Sequence, residues 1–442
     1  MKSGTARVSA VVAAAALALA ACTGGSVSSQ STSAGGSSVS GGGKPGGTIT
    51  LLIGQPENPQ DLVLTKQDLA KFTQQTGVQV KLNVINNDNL RTILQTQLRS
   101  GSGPDVFGYD TGPGFAGVLA KAGLLYDLTQ AYQERKWPIY DWAKQRVTFD
   151  GKVVGIPDQV EEVGVFYNKT IFDKNGLKPP QNVSDLESAA EKLKAAGVTP
   201  FTFSDKEGWE AGHQLSIVLS SAVGESGMKE FLDGKKPWNS PEVVSAIDLF
   251  FQQFKDKAYL PKSSNAITYD NANALFYQQK AAMNPTGTWL VSDIKDAAKF
   301  DVGFFPFPAP DGPGIFSGGL GGGTFVSAKT KNPQGALAYL DYILTKEHGQ
   351  WQAEQHNSIP AFPIETQNLK VTPLFRQILA DTSKIAESGQ SGQFGYNIDV
   401  LTSDAFNKAM WDGLQSVLAG QMSPRQVADS LEAAAKKSAS GA

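Results

Sequence analysis

The chain has 442 residues, of which 40% are hydrophobic and 18% are charged, and its formal net charge at pH 7 is −3. These proportions are typical of a folded globular protein, and the lack of a basic excess argues against a nucleic-acid-binding protein. One cysteine and three histidines leave few ligands for a zinc site and few candidates for a Cys/His nucleophile. Roughly 395 residues follow the low-complexity N-terminal region, more than one hydrophobic core usually holds, so two lobes are expected.

The first 21 residues have the organisation of an export signal. Lys2 and Arg7 supply positive charge, residues 8–21 form an apolar run too short to span a bilayer, and small residues precede Cys22. The pattern resembles the lipobox of bacterial lipoproteins, in which the cysteine becomes the acylated first residue of the mature chain. We therefore expect cleavage after residue 21 and a lipid anchor on Cys22 at the extracellular face of the cell membrane. The alternative is an ordinary signal peptide beside a chance cysteine.

Gly, Ser, Thr and Ala make up nearly all of residues 23–47, which predicts a flexible tether over residues 22–47. A Thr76-Gly77 stop signal then ends the first predicted helix, and a Ser184-x-x-Glu187 capping box opens the third. The periodicity predicts strands over 48–53, 78–85 and 105–109, and helices over 62–73, 90–98, 184–196, 243–254 and 335–345. Such alternation predicts an α/β fold in which crossover helices join parallel strands.

Motifs for catalysis or nucleotide binding are weak. Gly389-Gln390-Ser391-Gly392 lacks the spacing of a nucleophile elbow, and residues 318–323 satisfy neither the dinucleotide-binding pattern nor the P-loop. The neighbouring carboxylates Glu161 and Glu162 would point to opposite faces of a strand, which disfavours joint attack on one glycosidic bond. The sequence therefore gives little support to an enzyme.

Four blocks of residues follow one another along the chain. They are Gly103-Pro104-Asp105-Val106 with Gly123-Leu124-Leu125-x-Asp127-Leu128-Thr129; Gly151-Lys152-x-x-Gly155-Ile156-Pro157 with Phe166-Tyr167-Asn168-Lys169 and Gly176-Leu177-x-x-Pro180; Ala282-Met283-x-x-x-Gly287-x-Trp289; and Gly318-Gly319 through Ala336 and Glu347 to Ile359-Pro360-Ala361. In this order the blocks resemble the family 1 extracellular solute-binding proteins of ABC importers, the relatives of maltodextrin-binding protein.

The resemblance implies a two-lobe, periplasmic-binding-protein-like fold of type II, in which each lobe is a sheet flanked by helices and the ligand lies in the cleft. On that template residues 47–157 and 308–357 form lobe one, and residues 158–307 and 358–442 form lobe two. It also implies a monomeric lipoprotein that binds a mono- or oligosaccharide and delivers it to the subunits of an ABC permease, without nucleic acid, metal or cofactor. The alternatives are a binding protein for a polyamine or a glycerol phosphoester, and a secreted glycosidase.

Ligands of such folds lie beyond the carboxyl ends of the strands, so residues that follow strands are the expected contacts. Trp289 comes after a strand-like run and Gly287, and its flat ring suits the C–H face of a pyranose. Trp209 takes the place of a family aromatic residue in the cleft. Glu161 aligns with a family carboxylate, whereas Glu162 should face away into solvent.

Five further residues are expected at the ligand: Tyr109 and Asp110 after the third strand, Gln55 and Glu57 after the first, and Tyr396 beside Asn397 in a glycine-rich loop. Asn87 and Asp88 suit a ligand contact or a helix N-cap equally well. Trp411, on a helix, is expected in the core. Residues 318–323 suit either a close approach of the backbone to a ligand or a crossing between lobes.

Overall fold

The computed structural model describes residues 45–56, 58–388 and 394–440, without the side chains of residues 88 and 383–388. The expected signal peptide, the anchor residue Cys22, most of the tether and the site residue Glu57 lie outside the described residues.

Short strands and longer helices alternate along the described chain. The strands are β1 (Thr48–Gly54), β2 (Gln79–Ile85), β3 (Val106–Asp110), β4 (Thr148–Phe149), β5 (Lys152–Val153), β6 (Gly155–Pro157), β7 (Gln159–Asn168), β8 (Thr199–Phe201), β9 (Ala281–Gly287), β10 (Val302–Phe305), β11 (Ser317–Leu320), β12 (Gly322–Val326) and β13 (Ile359–Pro360). The α-helices are α1 (Pro59–Thr76), α2 (Asn87–Ser100), α3 (Ala116–Lys121), α4 (Thr129–Arg135), α5 (Asp141–Gln145), α6 (Lys169–Lys174), α7 (Val183–Ala195), α8 (Trp209–Leu232), α9 (Pro241–Ile247), α10 (Tyr269–Tyr277), α11 (Val291–Ala297), α12 (Pro333–Ile343), α13 (Lys346–Trp351), α14 (Pro373–Ser388), α15 (Asp404–Leu418) and α16 (Pro424–Ser440). Short 3₁₀ turns cover Ser264–Ala266 and Thr288–Leu290, and π-helical turns continue α9 and α13 over Asp248–Phe254 and Gln352–His356.

The first sheet has the strand order β2-β1-β3-β12-β6 and carries helices on both faces. β1 is parallel to β2 and β3, whereas β12 is antiparallel to β3 and β6. Phe72 of α1 and Leu340 of α12 are buried on one face, and Leu98 of α2 and Leu119 of α3 on the other. The predicted α/β architecture is confirmed for this lobe.

The second sheet has the order β10-β7-β9-β8, and β11 and β13 also pair with β7. β8 is parallel to β9, whereas β9, β10, β11 and β13 run antiparallel to β7. Leu193 of α7 and Leu215 of α8 are buried in the core of this second lobe. The two-lobe prediction is therefore confirmed, with one large sheet in each lobe, and β4 and β5 form a separate two-stranded sheet.

The chain crosses between the sheets at short, glycine- and proline-rich points. One crossing joins β6 to β7 after Pro157, and another joins β11 to β12 through Gly321. Gly318 and Gly319 have φ angles of +151° and +119°, and a Cβ at Gly318 would lie 2.2 Å from the carbonyl oxygen of Glu161, so a larger residue does not fit. Residues 318–323 thus form a crossing between lobes, one of the two readings that the sequence left open.

β11 shows where the expected lobe ranges and the strand pairing differ. The sequence placed residues 308–357 in lobe one, yet β11 pairs with β7 of the second sheet and only β12 joins the first. Backbone hydrogen bonds decide which sheet a strand joins. A glycine-rich segment has no pattern of apolar and polar side chains from which that choice could be predicted. For the residues outside β11, the expected lobe ranges remain a prediction.

Helix caps follow the sequence signals in one case and depart from them in another. Asn58 caps α1 by accepting the Gln60 amide at 2.9 Å, and Gly77 ends this helix in the left-handed conformation, as its stop signal predicted. The predicted Ser184 cap is wrong, because the Asn182 side chain accepts the Asp185 amide at 2.8 Å and α7 begins at Val183.

Candidate functional site

Four rings, Trp209, His213, Tyr269 and Trp289, pack together in the second lobe, and we call them the aromatic cluster. Trp209 begins α8 and lies 5.0 Å from His213, one turn later, and 4.9 Å from Tyr269. Trp289 lies 5.3 Å from His213 and 6.4 Å from Trp209 between ring centroids, and its Nε1 donates to the Tyr269 hydroxyl at 2.7 Å. Both predicted tryptophans therefore belong to the same aromatic cluster.

The residues next to Trp289 in the sequence place its ring in the aromatic cluster. β9 ends at Gly287, and a Cβ there would lie 1.8 Å from the Trp289 ring. The ring therefore lies against bare backbone, and from the 3₁₀ turn Thr288–Leu290 it lines the cavity described below. The Tyr269 hydroxyl also lies 3.0 Å from the Thr286 hydroxyl of β9, which ties the start of α10 to the same strand.

A second group of side chains, the polar cluster, joins the two lobes beside the rings. Asp110 ends β3 and Arg146 follows α5 in the first lobe, whereas Glu161 on β7, His213 on α8 and Asp399 belong to the second. His213 Nε2 lies 3.5 Å from Asp399 Oδ2, and both side chains are at least nine-tenths buried. His213 is thus the residue that the two clusters share.

Burial sets the electrostatics of the polar cluster. Desolvation is the largest cause that raises the pKa of Glu161 to about 7, and the nearby carboxylates Asp110 and Asp399 add to this shift. Asp110 itself is exposed at the end of β3. Desolvation also lowers the pKa of Arg146 to about 10, so this guanidinium is still protonated at neutral pH. The Gln159 amide donates to Glu161, whose carboxylate lies against Gly321 of the crossing.

Several buried polar atoms of this region have no hydrogen-bond partner within the described residues. They are Arg146 Nε, His213 Nδ1, Asn397 Oδ1 and Asp399 Oδ1. Such atoms are rare in folded proteins, because each one left unsatisfied costs about 1–3 kcal/mol. The pocket that Glu161 and Asn397 line has a volume of about 0 Å³, so a ligand rich in hydroxyl groups could reach these atoms only after the surrounding side chains or the lobes move.

A cavity of about 510 Å³ opens beside Trp289, between the first sheet, α1 and the segment that follows α12. Gln55 and Trp289 line it, together with the carboxylates Asp158 and Asp293. Desolvation raises the pKa of Asp158 to about 7, and desolvation followed by repulsion from Asp61 raises that of Asp293 to about 7. The cavity therefore carries carboxylates that are poorly hydrated.

Three predicted residues lie elsewhere than expected. Tyr109 is only 6% exposed and packs edge-to-face on Phe115 in the core, because alternation along β3 turns it away from Asp110. The Tyr396 hydroxyl donates to Glu225 at 2.8 Å against the second core. Glu162 is fully buried, so the expectation that it is solvated was wrong: both faces of the central strand β7 are covered.

Trp411 agrees with its expected position, Asn87 lies at the start of α2, and Glu57 lies outside the described residues. Trp411 is half-buried on α15 and packs against Gly212 of α8, as expected for a packing residue. Asn87 begins α2 and donates its amide to the Gln55 carbonyl at 2.9 Å, so it holds the loop after β1.

Sequence reasoning did not assign Arg146, His213 or Asp399 to the site. His213 had a signal, because it follows Trp209 by four residues and so shares its face of α8. Arg146 and Asp399 had none, since each stands in a connecting segment far along the chain from the others. Within the described ranges, no group of His, Cys, Asp and Glu side chains is arranged to hold a metal, and no helix has the length and apolar character of a membrane span.

Comparison with known proteins gives several relatives by sequence. An ABC transporter extracellular-binding protein from Pyrococcus horikoshii is 30% identical over 61% of this chain and 62% of its own length. A multiple sugar-binding protein from Streptococcus mutans is 28% identical over 65% of this chain and 69% of its own, and a diacetylchitobiose binding protein from Streptomyces coelicolor is 27% identical over 58% and 57%. The chain thus spans about 57–69% of the length of these relatives.

Solved structures share the fold at low identity. A chitin oligosaccharide binding protein superposes with a TM-score of 0.77 at 22% identity, over 88% of this chain and 98% of its own. The maltose/maltodextrin-binding domain from Bdellovibrio bacteriovorus gives 0.67 at 20%, over 89% and 100%. The sequence pattern of the family described as bacterial extracellular solute-binding protein matches residues 57–350. The resemblance read from the sequence is confirmed, and the chain belongs to the bacterial extracellular solute-binding protein family.

Proposed function

We propose that this protein is the substrate-binding component of an ABC importer and that its ligand is a carbohydrate. The observation that carries the proposal is the contact between the aromatic cluster and the polar cluster in the cleft, through His213. A pyranose presents apolar C–H faces and a rim of hydroxyl groups, and it therefore needs flat rings and hydrogen-bonding side chains side by side.

The polar cluster suits hydroxyl groups better than it suits ions. It contains both signs of charge, with the guanidinium of Arg146 near Asp399 and with Asp110 and Glu161 beside them. A carboxyl group whose pKa lies near 7 can accept a hydrogen bond from a sugar hydroxyl when ionised and donate one when protonated. The names of three relatives, for multiple sugars, diacetylchitobiose and maltodextrin, agree with this proposal.

Ligand binding would work by closing the lobes. The ligand contacts both lobes only when they are close, so it stabilises the closed form by its differential affinity, and that form would engage the permease. We propose further that Cys22 carries a lipid anchor at the outer face of the cell membrane, that the protein acts as a monomer, and that it does not turn over its ligand. A Kd of roughly 1 μM, about −8 kcal/mol, is expected.

A thermal-shift screen tests the function. A ligand that binds only the folded state stabilises it by about 2.7 kcal/mol at a hundredfold excess over Kd. The panel contains neutral mono- and oligosaccharides, spermidine, a glycerol phosphoester and chromogenic glycosides. Stabilisation by a neutral sugar without release of a chromophore is expected; no sugar response, or hydrolysis of a glycoside, would overturn the proposal.

One observation favours a second candidate, a polyamine. Among the described residues that line the cavity beside Trp289, four are aspartates and none is Lys or Arg. A polyamine would neutralise these carboxylates, whereas a glycerol phosphoester would be repelled. Stabilisation by spermidine alone would therefore establish this second function.

A further inference from the structure

Two helices from different lobes are joined by hydrogen bonds between their side chains. α1 packs in the core of the first lobe, and α11 packs in a core of the second. The Asn58 amide donates to Asp296 Oδ2 at 2.7 Å. The Ser292 hydroxyl donates to Asp61 Oδ1 at 3.2 Å. We call these four residues the lobe contact, and its two hydrogen bonds can form only while the lobes are together.

The Asn58 side chain is fixed in position by a second hydrogen bond. Asn58 is only 8% exposed, and its Oδ1 accepts the Gln60 amide at 2.9 Å as the N-cap of α1. This cap lies wholly within the first lobe, so it holds the side chain in the same orientation whether or not the lobes meet. The bond to Asp296 therefore requires little further ordering of the side chain.

The lobe contact also brings negative charges together. Asp61 of the first lobe comes near Asp293 and Asp296 of α11 and near Asp270 of α10. Asp293 is half-buried, and desolvation followed by repulsion from these three carboxylates raises its pKa to about 7. An ionised Asp293 therefore opposes the approach of Asp61, whereas a protonated Asp293 does not.

The cationic side chains near the contact do not cancel this repulsion. Lys295 and Lys299 are exposed on and after α11, and Lys299 Nζ donates to the backbone carbonyl of Asp296 at 2.7 Å. His356 Nδ1 lies 3.4 Å from Asp61 Oδ1. A protonated His356 would neutralise Asp61 and so favour the contact, in the same direction as a proton on Asp293.

We infer that the lobe contact is a latch controlled by pH, in which protonation of Asp293 favours the closed arrangement of the lobes and ionisation releases it. The direction follows from linkage, because the form in which the pKa is raised to about 7 binds the proton more tightly and is lost as pH rises through that value. One proton changes the ratio of closed to open protein by at most about tenfold per pH unit. The effect on sugar affinity rests on the proposed function, because closure is linked to binding there, whereas the conformational change itself needs no ligand.

X-ray scattering of the ligand-free protein at about pH 5.5 and about pH 8.5 tests the latch. The wild type should have the smaller radius of gyration at the acidic pH. Asp293→Asn keeps the shape of the side chain without its charge and should be compact at both pH values. Asp61→Asn removes the repulsion from the other lobe and should act in the same way if Asp293→Asn folds poorly. Asp301→Asn is the matched control, since this exposed residue of the second lobe precedes β10, and it should respond as wild type does.

A further variant tests the hydrogen bond from Asn58. Serine also caps helices but is too short to reach Asp296, so Asn58→Ser should enlarge the radius of gyration at about pH 5.5. A wild-type radius that does not change with pH, or a full pH response in folded Asp293→Asn and Asp61→Asn, would overturn the inference. No sugar enters these measurements, so such a result would leave the proposed function intact. Failure of every sugar in the thermal-shift screen would instead overturn that function and leave the latch.

Discussion

Replacement of Trp289 by alanine removes the ring that joins the aromatic cluster to the cavity. The ring lies 5.3 Å from His213 and 6.4 Å from Trp209, and its Nε1 is held by Tyr269 at 2.7 Å, so its orientation is set before a ligand arrives. Ring stacking contributes about 1 kcal/mol beyond area burial, and loss of an anchor residue commonly costs about 2 kcal/mol or more. The Kd for the bound sugar should therefore rise at least about thirtyfold.

The same substitution also weakens the fold, and the size of that effect follows from burial. Trp289 is half-buried, so alanine forfeits part of the 3–5 kcal/mol typical of a buried aromatic ring and one hydrogen bond worth about 1 kcal/mol. We expect the free energy of unfolding to fall by about 2–3 kcal/mol, which leaves a protein of ordinary stability folded. Trp289→Phe, which keeps a ring without the N–H donor, should lie between wild type and alanine in both respects.

Trp411→Ala is the matched control. Trp411 is also half-buried, but it packs between α8 and α15 and does not line the cavity. It should lose a similar amount of stability and keep its Kd within about twofold. Calorimetric titration and thermal melts on both variants give the two quantities separately. A Trp289→Ala protein that melts early and keeps the wild-type Kd would show that the ring serves packing alone, and our assignment of the site would be refuted.

Three further predictions concern charge and anchoring. Burial raises the pKa of Glu161 from 4.5 to about 7, so between these pH values the folded protein holds a proton that the unfolded chain releases. The stability of the ligand-free protein should therefore fall as pH rises through this window. Glu161→Gln should flatten the dependence of the melting temperature on pH, and an unchanged slope would contradict the burial of this group. Arg91 of α2 in the first lobe pairs with Asp404 at the start of α15 in the second. Arg91→Ala removes this link between the lobes and should increase the radius of gyration of the ligand-free protein in X-ray scattering. Lys408→Ala breaks a pair within α15 and should leave the radius unchanged. Cys22→Ala should move the protein from the membrane to the soluble fraction, and membrane retention of this variant would exclude an anchor on Cys22.

Local chemistry accounts for the elements that sequence reasoning predicted correctly. The apolar spacing of Leu69 and Phe72 and the stop at Gly77 involve residues a few positions apart, and α1 follows them. Short-range signals fail where two residues could cap the same helix. The Asn182 side chain accepts the Asp185 amide and caps α7, so Ser184 lies within the first turn of the helix. Trp289 could be predicted because Gly287 beside it and the end of a strand are both visible in the sequence.

The sequence by itself determined the fold class and the family, because these rest on periodicity and motif order, and it predicted Trp289 as a ligand contact. Only the tertiary structure decided that Asp399 lies near both Arg146 and Glu161, that Tyr109 turns into the core and that Glu162 is buried. Each of those outcomes depends on how the two sheets approach across the cleft and on which face of a strand is covered. Contacts between residues more than a hundred positions apart leave no periodic trace in a single sequence.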